Sequence, residues 1–300
     1  MKIAIAGGSG FVGKELTKLL TSQNHQVIIL TRKQTNSNKP NVKFVKWLST
    51  DSLPEVHLEG VDAIVNLAGE SINSGRWNQE RKKRILDSRI STTAEINRII
   101  QSLVKKPDVL INASAIGWYG TSTIGTFTEL HPTPGDDFLA NTVNLWEEEA
   151  KKAEAYGIRV ALMRFGIILG KDEGALPKMV LPYKMFAGGP IGQGNQWMSW
   201  IHLEDVARAI EFSILTKELK GPVNISGPKP VKMDEFGRTL GDVLHRPHWF
   251  PTPRILLRSV LGEMSILVLE GQKVIPEKLI QQSFIYKHPI LKEALADLLT

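Results

Sequence analysis

Cysteine is absent from this chain, which excludes a disulfide framework, a thiolate nucleophile and a thiolate metal site. Long apolar runs are missing as well. A membrane-spanning helix needs about 18 uninterrupted apolar residues. The longest candidate, residues 255–269, is broken by Arg258, Gly262 and Glu263. Met1-Lys2 leads into a short apolar stretch that turns glycine-rich at once, unlike the apolar core and cleavage site of a secretion signal. These absences point to a cytoplasmic protein with no membrane partner. Two catalytic signatures are also lacking: no His/Asp/Glu spacing suits a metal site, and no Gly-x-Ser-x-Gly elbow marks a serine hydrolase.

What is present is ordinary in bulk. The 300 residues are 42% hydrophobic and 23% charged, enough for one large core or two smaller ones. A net charge of +6 raises the question of a polyanionic partner. The densest basic cluster, Arg81-Lys82-Lys83-Arg84, lies in a helical context. Four consecutive helical positions point in four directions, and no aromatic residues are interleaved for base stacking, so the run reads as a solvated face rather than a nucleic-acid site.

Short Val/Ile-rich runs alternate with longer segments of helical periodicity. Lys2–Ala6, Gln26–Thr31, Val42–Lys46, 62–67, 108–114 and 158–165 are expected strands; Phe11–Ser22, 78–104 and 136–156 are expected helices. This alternation predicts an α/β fold: a doubly wound parallel sheet of Rossmann type with about seven strands. Residues 171–200, rich in glycine and proline, break the rhythm, which resumes at Leu203–Leu215 and 222–225. The expected layout is a nucleotide-binding domain of residues 1–170 plus 201–227. A small, mainly helical substrate domain would comprise 171–200 plus 228–300. The tail after residue 247 mixes aromatics (Trp249, Phe250, Phe284, Tyr286) with apolar helices, a composition suited either to capping a cleft or to a homodimer interface.

Gly7-Gly8-Ser9-Gly10-Phe11-Val12-Gly13 joins the first strand to the first helix. In that strand-turn-helix setting the three glycines of Gly-x-x-Gly-x-x-Gly have distinct roles. They allow a tight turn, close approach of backbone to a pyrophosphate, and close packing of helix on sheet. The N–H groups at the helix start then face the phosphates. After the second strand come Thr31-Arg32-Lys33, with no acidic residue to hold a ribose 2′-hydroxyl. Arg32 and Lys33 suit a 2′-phosphate instead, which favours NADP(H) over NAD(H).

With these features on view, the chain resembles an extended short-chain dehydrogenase/reductase. The resemblance rests on the glycine loop, Val65-Asn66-Leu67-Ala68-Gly69, Asn112-Ala113-Ser114, Arg164-Phe165-Gly166 with Gly170, Trp200 to Asp205, and Val223-Asn224-Ile225. It is closer still to bacterial epimerase family proteins with a short C-terminal domain of unknown function, through Gly75-Arg76-Trp77, Ser88-Arg89-Ile90, Pro251-Thr252-Pro253 and the 271–276 and 287–289 segments. The resemblance implies a substrate site between two domains. It also implies cofactor contacts from the glycine loop, Thr31–Lys33, Leu67, Ala68, Gly69, Ala113, Ser114, Arg164, Phe165 and Gly166.

One family feature is missing. Most extended members use a Tyr-x-x-x-Lys pair on the helix after the fifth strand, the lysine lowering the tyrosine pKa and holding the nicotinamide ribose. Here the tyrosine position falls on Phe138 or Leu139 and the lysine position on Thr142 or Val143; no Lys or Arg occurs from 107 to 150. Ser114 matches the family's active-site Ser/Thr, and Tyr119 is the remaining tyrosine near it, so these two are the catalytic candidates. Glu70 and Glu129 would act as bases only if desolvated, and His202 reads as a hydrogen-bonded residue at a helix start. Two functions follow. One is an NADP-dependent oxidoreductase or epimerase for a small hydroxylated or carbonyl compound such as a nucleotide sugar. The other is a catalytically degenerate NADP(H) sensor acting on a protein partner.

Overall fold

Strands that carry Val, Ile, Leu and Ala on both faces require a sheet covered on both sides. In the computed structural model, which describes residues 1–33 and 40–300, they form one. Its strands are β1 (Lys2–Ala6), β2 (Gln26–Thr31), β3 (Val42–Lys46), β4 (Ala63–Asn66), β5 (Val109–Ala115), β6 (Arg159–Phe165) and β7 (Gly221–Ile225). The spatial order is β3-β2-β1-β4-β5-β6-β7, all parallel. The chain therefore winds outward from β1 in one direction, returns, and winds outward from β4 in the other. The crevice above β1 and β4 is the topological switch point where such sheets bind ligands.

Strand alternation divides the core between the two faces. Ile3 and Ile5 of β1 meet Leu16 and Leu20 of α1 (Phe11–Ser22) on one side, together with Val206 and Ile210 of the Leu203–Leu215 helix. Ala4 and Ala6 face the other way, where Ile96, Ile99 and Ile100 of α2 (Gln79–Ser102) and Ala150 of α3 (Phe138–Lys151) pack. The expected helix 136–156 is in fact two pieces. Asp137 caps α3 by accepting from Ala140 N at 2.9 Å, and after Lys151 the chain tightens into a 3₁₀ turn, Lys152–Tyr156, ended by Gly157 at φ 76°.

A third apolar cluster brings the sequence-distant ends together. Leu176, Val180 and Tyr183 pack with Met198 and Trp200, with Phe236 and Leu240, and with Leu291, Leu295 and Leu298. The Arg254–Leu261 helix differs from its neighbours in having no buried residue; Ile255 is 82% exposed, and Trp249 and Phe250 beside it in sequence are also exposed. Among the described residues no helix is long and apolar enough to cross a membrane.

Candidate functional site

The turn after β1 is shaped by contacts that only glycine permits. Gly7 sits at φ +79°, and a Cβ there would lie 2.8 Å from the Leu67 carbonyl carbon. A Cβ on Gly13 would lie 2.3 Å from Gly7 O, so α1 can approach the turn this closely only without a side chain. Gly10 is different: its Cβ would meet nothing but Gly7 O at 3.3 Å, leaving its outer side open for a ligand. The start of α1 has no side-chain cap and no acidic residue in its first turn. By contrast α2 is capped by Asn78 with Glu80 following, α3 by Asp137, and the Leu203–Leu215 helix by His202 with Glu204 and Asp205. The start of α1 thus has neither a capping side chain nor an acidic residue in its own first turn, an arrangement that fits a pyrophosphate.

On one side of this turn β2 ends at Thr31, whose Oγ1 accepts from Lys33 N at 3.3 Å; Arg32 and Lys33 are exposed. On the other side β4 ends in Leu67-Ala68-Gly69, held by polar groups buried between strands. Asn66 Nδ2 donates to Asn112 Oδ1 at 2.7 Å and to Thr93 Oγ1 at 3.0 Å, while Asn66 Oδ1 accepts from Ala68 N at 3.2 Å. Trp146 Nε1 also donates to Thr93 Oγ1, at 3.0 Å, which ties α3 to the same point. These side chains fix the carboxyl ends of β4 and β5, where the family resemblance places cofactor contacts.

The two catalytic candidates are engaged internally. Ser114 is 2% exposed and its hydroxyl donates to Glu147 Oε1 at 2.6 Å. Glu147 also forms a bidentate pair with Arg164, Nε to Oε1 and Nη2 to Oε2, both at 2.8 Å. Arg164, expected to touch the cofactor, is 1% exposed, with its guanidinium over the rings of Trp118 and Tyr119 at 3.7 and 4.9 Å. An arginine this enclosed needs a carboxylate, and Glu147 provides it. Tyr119 donates to Asn224 Oδ1 at 2.8 Å, and burial pushes its phenol above the ordinary range. Neither hydroxyl proton points at open space.

The carboxylates considered as bases have structural partners too. Burial raises the Glu129 carboxyl, yet Oε1 accepts from Asn224 N at 2.9 Å and Oε2 from Glu277 N at 3.2 Å, so it caps the Glu277–Gln281 helix. Glu70 pairs with Arg81, a member of the basic run. Arg84, three positions on, borders the same Glu70 carboxylate at 3.7 Å and pairs with Glu80 at 3.0 Å, whereas Lys82 reaches Glu263 and Lys83 is exposed. Where the dyad would stand, Phe138 meets Trp77 edge-on at 5.3 Å, and Thr142 and Val143 are buried.

The structure also assembles a group that spacing did not reveal. His202, Glu204 and His288 place their ligand atoms within 4.8 Å of one another. However, His202 Nδ1 accepts from Glu204 N at 3.1 Å, so the neutral ring carries its proton on Nε2 and has no lone pair left for a cation. The Glu204 carboxylate is held by Lys287 Nζ at 2.8 and 2.9 Å. Together with Asp205, which accepts from Lys287 N and His288 N at 2.8 and 2.9 Å, this is a clasp for the C-terminal segment. Missed from the sequence were Glu147, Asn224, Thr93 and Arg89, the last of which lies against Gly69.

Comparison with known proteins agrees with this geometry. The model of the NAD dependent epimerase/dehydratase family matches residues 3–226, and a domain of unknown function, DUF1731, matches residues 252–298. The Bacillus subtilis (strain 168) epimerase family protein YfhF is 48% identical over 299 residues, covering 100% of this chain and 98% of its own. Human epimerase family protein SDR39U1 (isoform 2), solved with NADPH, superposes with a TM-score of 0.89 at 32% identity over 99% of each chain. A nucleoside-diphosphate sugar epimerase from Corynebacterium glutamicum gives 0.79 at 30% identity, over 100% of this chain and 58% of that one. The glycine turn at the β1/β4 switch point, the seven-stranded parallel sheet and matches of this extent place the chain in the NAD dependent epimerase/dehydratase family, with a C-terminal DUF1731 segment.

Proposed function

We propose that the chain binds NADPH across the β1/β4 crevice and works as an oxidoreductase or epimerase on a small carbonyl or hydroxyl compound, the segments 171–200 and 228–300 forming the substrate side. The observation that carries this reading is the uncapped, acid-free start of α1 behind Gly7–Gly13, with Arg32 standing where an NAD-selective site has a carboxylate. The human relative solved with NADPH supports the same choice of cofactor. The α1 amides would hold the pyrophosphate, and Arg32 and Lys33 the 2′-phosphate. Leu67–Gly69 would flank the nicotinamide half. When bound, the nicotinamide supplies or accepts a hydride.

With Ser114 and Tyr119 engaged internally, the chain's own contribution is orientation and exclusion of water rather than a tyrosinate. In this reading the Ser114–Glu147–Arg164 triplet is a positioning unit that fixes the ends of β5 and β6 below the reacting centre. The test is fluorescence titration with NADPH and NADH, followed by cofactor consumption at 340 nm across a panel of carbonyl compounds and nucleotide sugars. NADPH binding at least tenfold tighter than NADH, with turnover on one compound class, is the expected result. Equal affinities would remove the 2′-phosphate assignment.

The pinning of both catalytic hydroxyls favours a second reading, an NADP(H) sensor without turnover. It requires a partner whose affinity differs between the NADP⁺-bound and NADPH-bound protein, because a ligand shifts an equilibrium only through differential binding. Equal partner affinity in the two states would eliminate it.

A further inference from the structure

The cation missing from residues 107–150 has a counterpart in space, contributed by a different helix. We propose that Arg89 of α2 anchors the oxygen atoms of the cofactor's nicotinamide ribosyl-phosphate half, in place of the lysine that α3 lacks. The inference rests on the NADPH reading above.

Topology sets the location. A dinucleotide that crosses the switch point with its 2′-phosphate toward Arg32 after β2 has its other half above β4 and β5. Arg89 lies on that side. A Cβ on Gly69 would be 3.4 Å from Arg89 Cγ and 3.5 Å from Cζ, so the arginine runs directly along the loop that ends β4. Its guanidinium carbon is 5.1 Å from the ring centroid of Trp146, one turn beyond Thr142 and Val143 on α3. A charge placed there borders the same helix face from which the family's lysine would project.

The electrostatics point to a missing partner. Among the described residues Arg89 makes no carboxylate pair, since Glu70 is held by Arg81. Burial pushes its guanidinium down to about 10, which still leaves it charged at neutral pH. Nη1 donates to the carbonyls of Glu70 and Ile85 at 3.1 and 2.9 Å; among the described residues Nε and Nη2 have no hydrogen bond. A half-buried cation with two N–H-bearing nitrogens unused by the described residues is well placed to donate to an anion or a set of oxygens. Holding the loop does not account for it, because Ser88 Oγ already accepts from Glu70 N at 3.0 Å. Arginine also suits this role chemically. Its planar fork orients a phosphate or a ribose edge, and it does not exchange protons near neutral pH.

The experiment compares wild type, R89M and R89K, full length, by calorimetric titration with NADPH and with 2′,5′-ADP. The fragment carries the 2′-phosphate and adenosine half but no nicotinamide half. R89M is expected to weaken NADPH roughly 10- to 100-fold, the range for a lost charge-assisted hydrogen bond, and to leave 2′,5′-ADP within about twofold. R89K should retain part of the NADPH affinity. It carries the test on its own if R89M does not fold, by selective loss for NADPH alone. Equal weakening of both ligands would mean that Arg89 only props the loop, and unchanged NADPH affinity would mean that it does not touch the cofactor; either result overturns the inference. If wild type binds neither ligand, the NADPH reading fails first and this inference with it.

Discussion

Replacing Glu147 by glutamine keeps the side-chain shape and removes one charge from an ion pair in which both partners are 2% exposed. The native carboxylate accepts from Arg164 Nε and Nη2 at 2.8 Å and from Ser114 Oγ at 2.6 Å. A glutamine has one oxygen for these three donors, and its amide nitrogen turns a donor toward a donor. Arg164 is then a buried cation without a counter-charge, a situation that costs about 3–5 kcal/mol. For 300 residues, at about 2.1 cal/mol/K of unfolding entropy per residue, this corresponds to a fall in Tm of about 5–8 °C. Calorimetry and urea unfolding at neutral pH read it directly. The double variant E147Q/R164M removes the orphaned charge and is expected to recover more than half of the loss, since neutral replacements of buried pairs come close to breaking even. A loss below about 1 kcal/mol for E147Q, or a double variant as unstable as the sum of the singles, would refute the reasoning. NADPH affinity of the folded E147Q protein is expected to stay near wild type, because Glu147 touches the strand ends and not the cofactor.

Three further outcomes are expected. R32A should weaken NADPH roughly 10- to 100-fold while leaving NADH unchanged, as measured by fluorescence titration; parallel loss for both cofactors would show that Arg32 does not meet the 2′-phosphate. G13A should abolish binding of both cofactors with the circular dichroism spectrum intact, since its Cβ would stand 2.3 Å from Gly7 O and 2.6 Å from Gly8 Cα; retained affinity would show that the turn relaxes without cost. Burial raises the phenols of Tyr119, Tyr183 (to about 12) and Tyr286, so alkaline titration followed at 295 nm should leave them protonated above pH 10 until the protein unfolds. Because the native state keeps protons that the unfolded chain releases near pH 10, stability is full below that pH and is lost as pH rises, for Tyr183 across about pH 10–12. Ionisation of all four tyrosines of the chain near pH 10 in the folded protein would contradict the burial.

The fold was legible wherever punctuation and period agreed. Lys2–Ala6, Gln26–Thr31, Val42–Lys46, Phe11–Ser22 and Leu203–Leu215 have the bounds that their patterns imply. Each is a run of one periodicity with glycine or a polar residue on at least one side. Helix 136–156 was too long because Lys152–Tyr156 continues an apolar spacing that a 3₁₀ turn satisfies as well as an α-helix. The glycine loop was legible for a similar reason: its function lies in local backbone chemistry, which the letters of residues 7–13 state directly.

The interior contacts of the site were harder to see, because each depends on one partner far along the chain. Glu147-Glu148-Glu149 looks like a solvated acidic run, but consecutive helical positions point in different directions, and on a helix packed along one face one of the three can fall inward. Val143, Trp146 and Ala150 are buried, and position 147 falls in phase with them, so the phase of α3 singles out Glu147 as the inward carboxylate. The same reasoning applies to Arg89, one turn from Ile85 and in line with Thr93 and Ile96 on α2, and to Asp205, between His202 and the buried Val206 and Ala209. A charge in phase with an apolar stripe is met by a counter-charge, by backbone groups, by a ligand or, where it is only half-buried, by solvent. Glu147 meets Arg164, and Asp205 meets the amides of residues 287 and 288. Arg89 meets two carbonyls through one of its three nitrogens and keeps two in reserve, which is why that residue, rather than the absent lysine of α3, is where the nicotinamide end of the site is best sought.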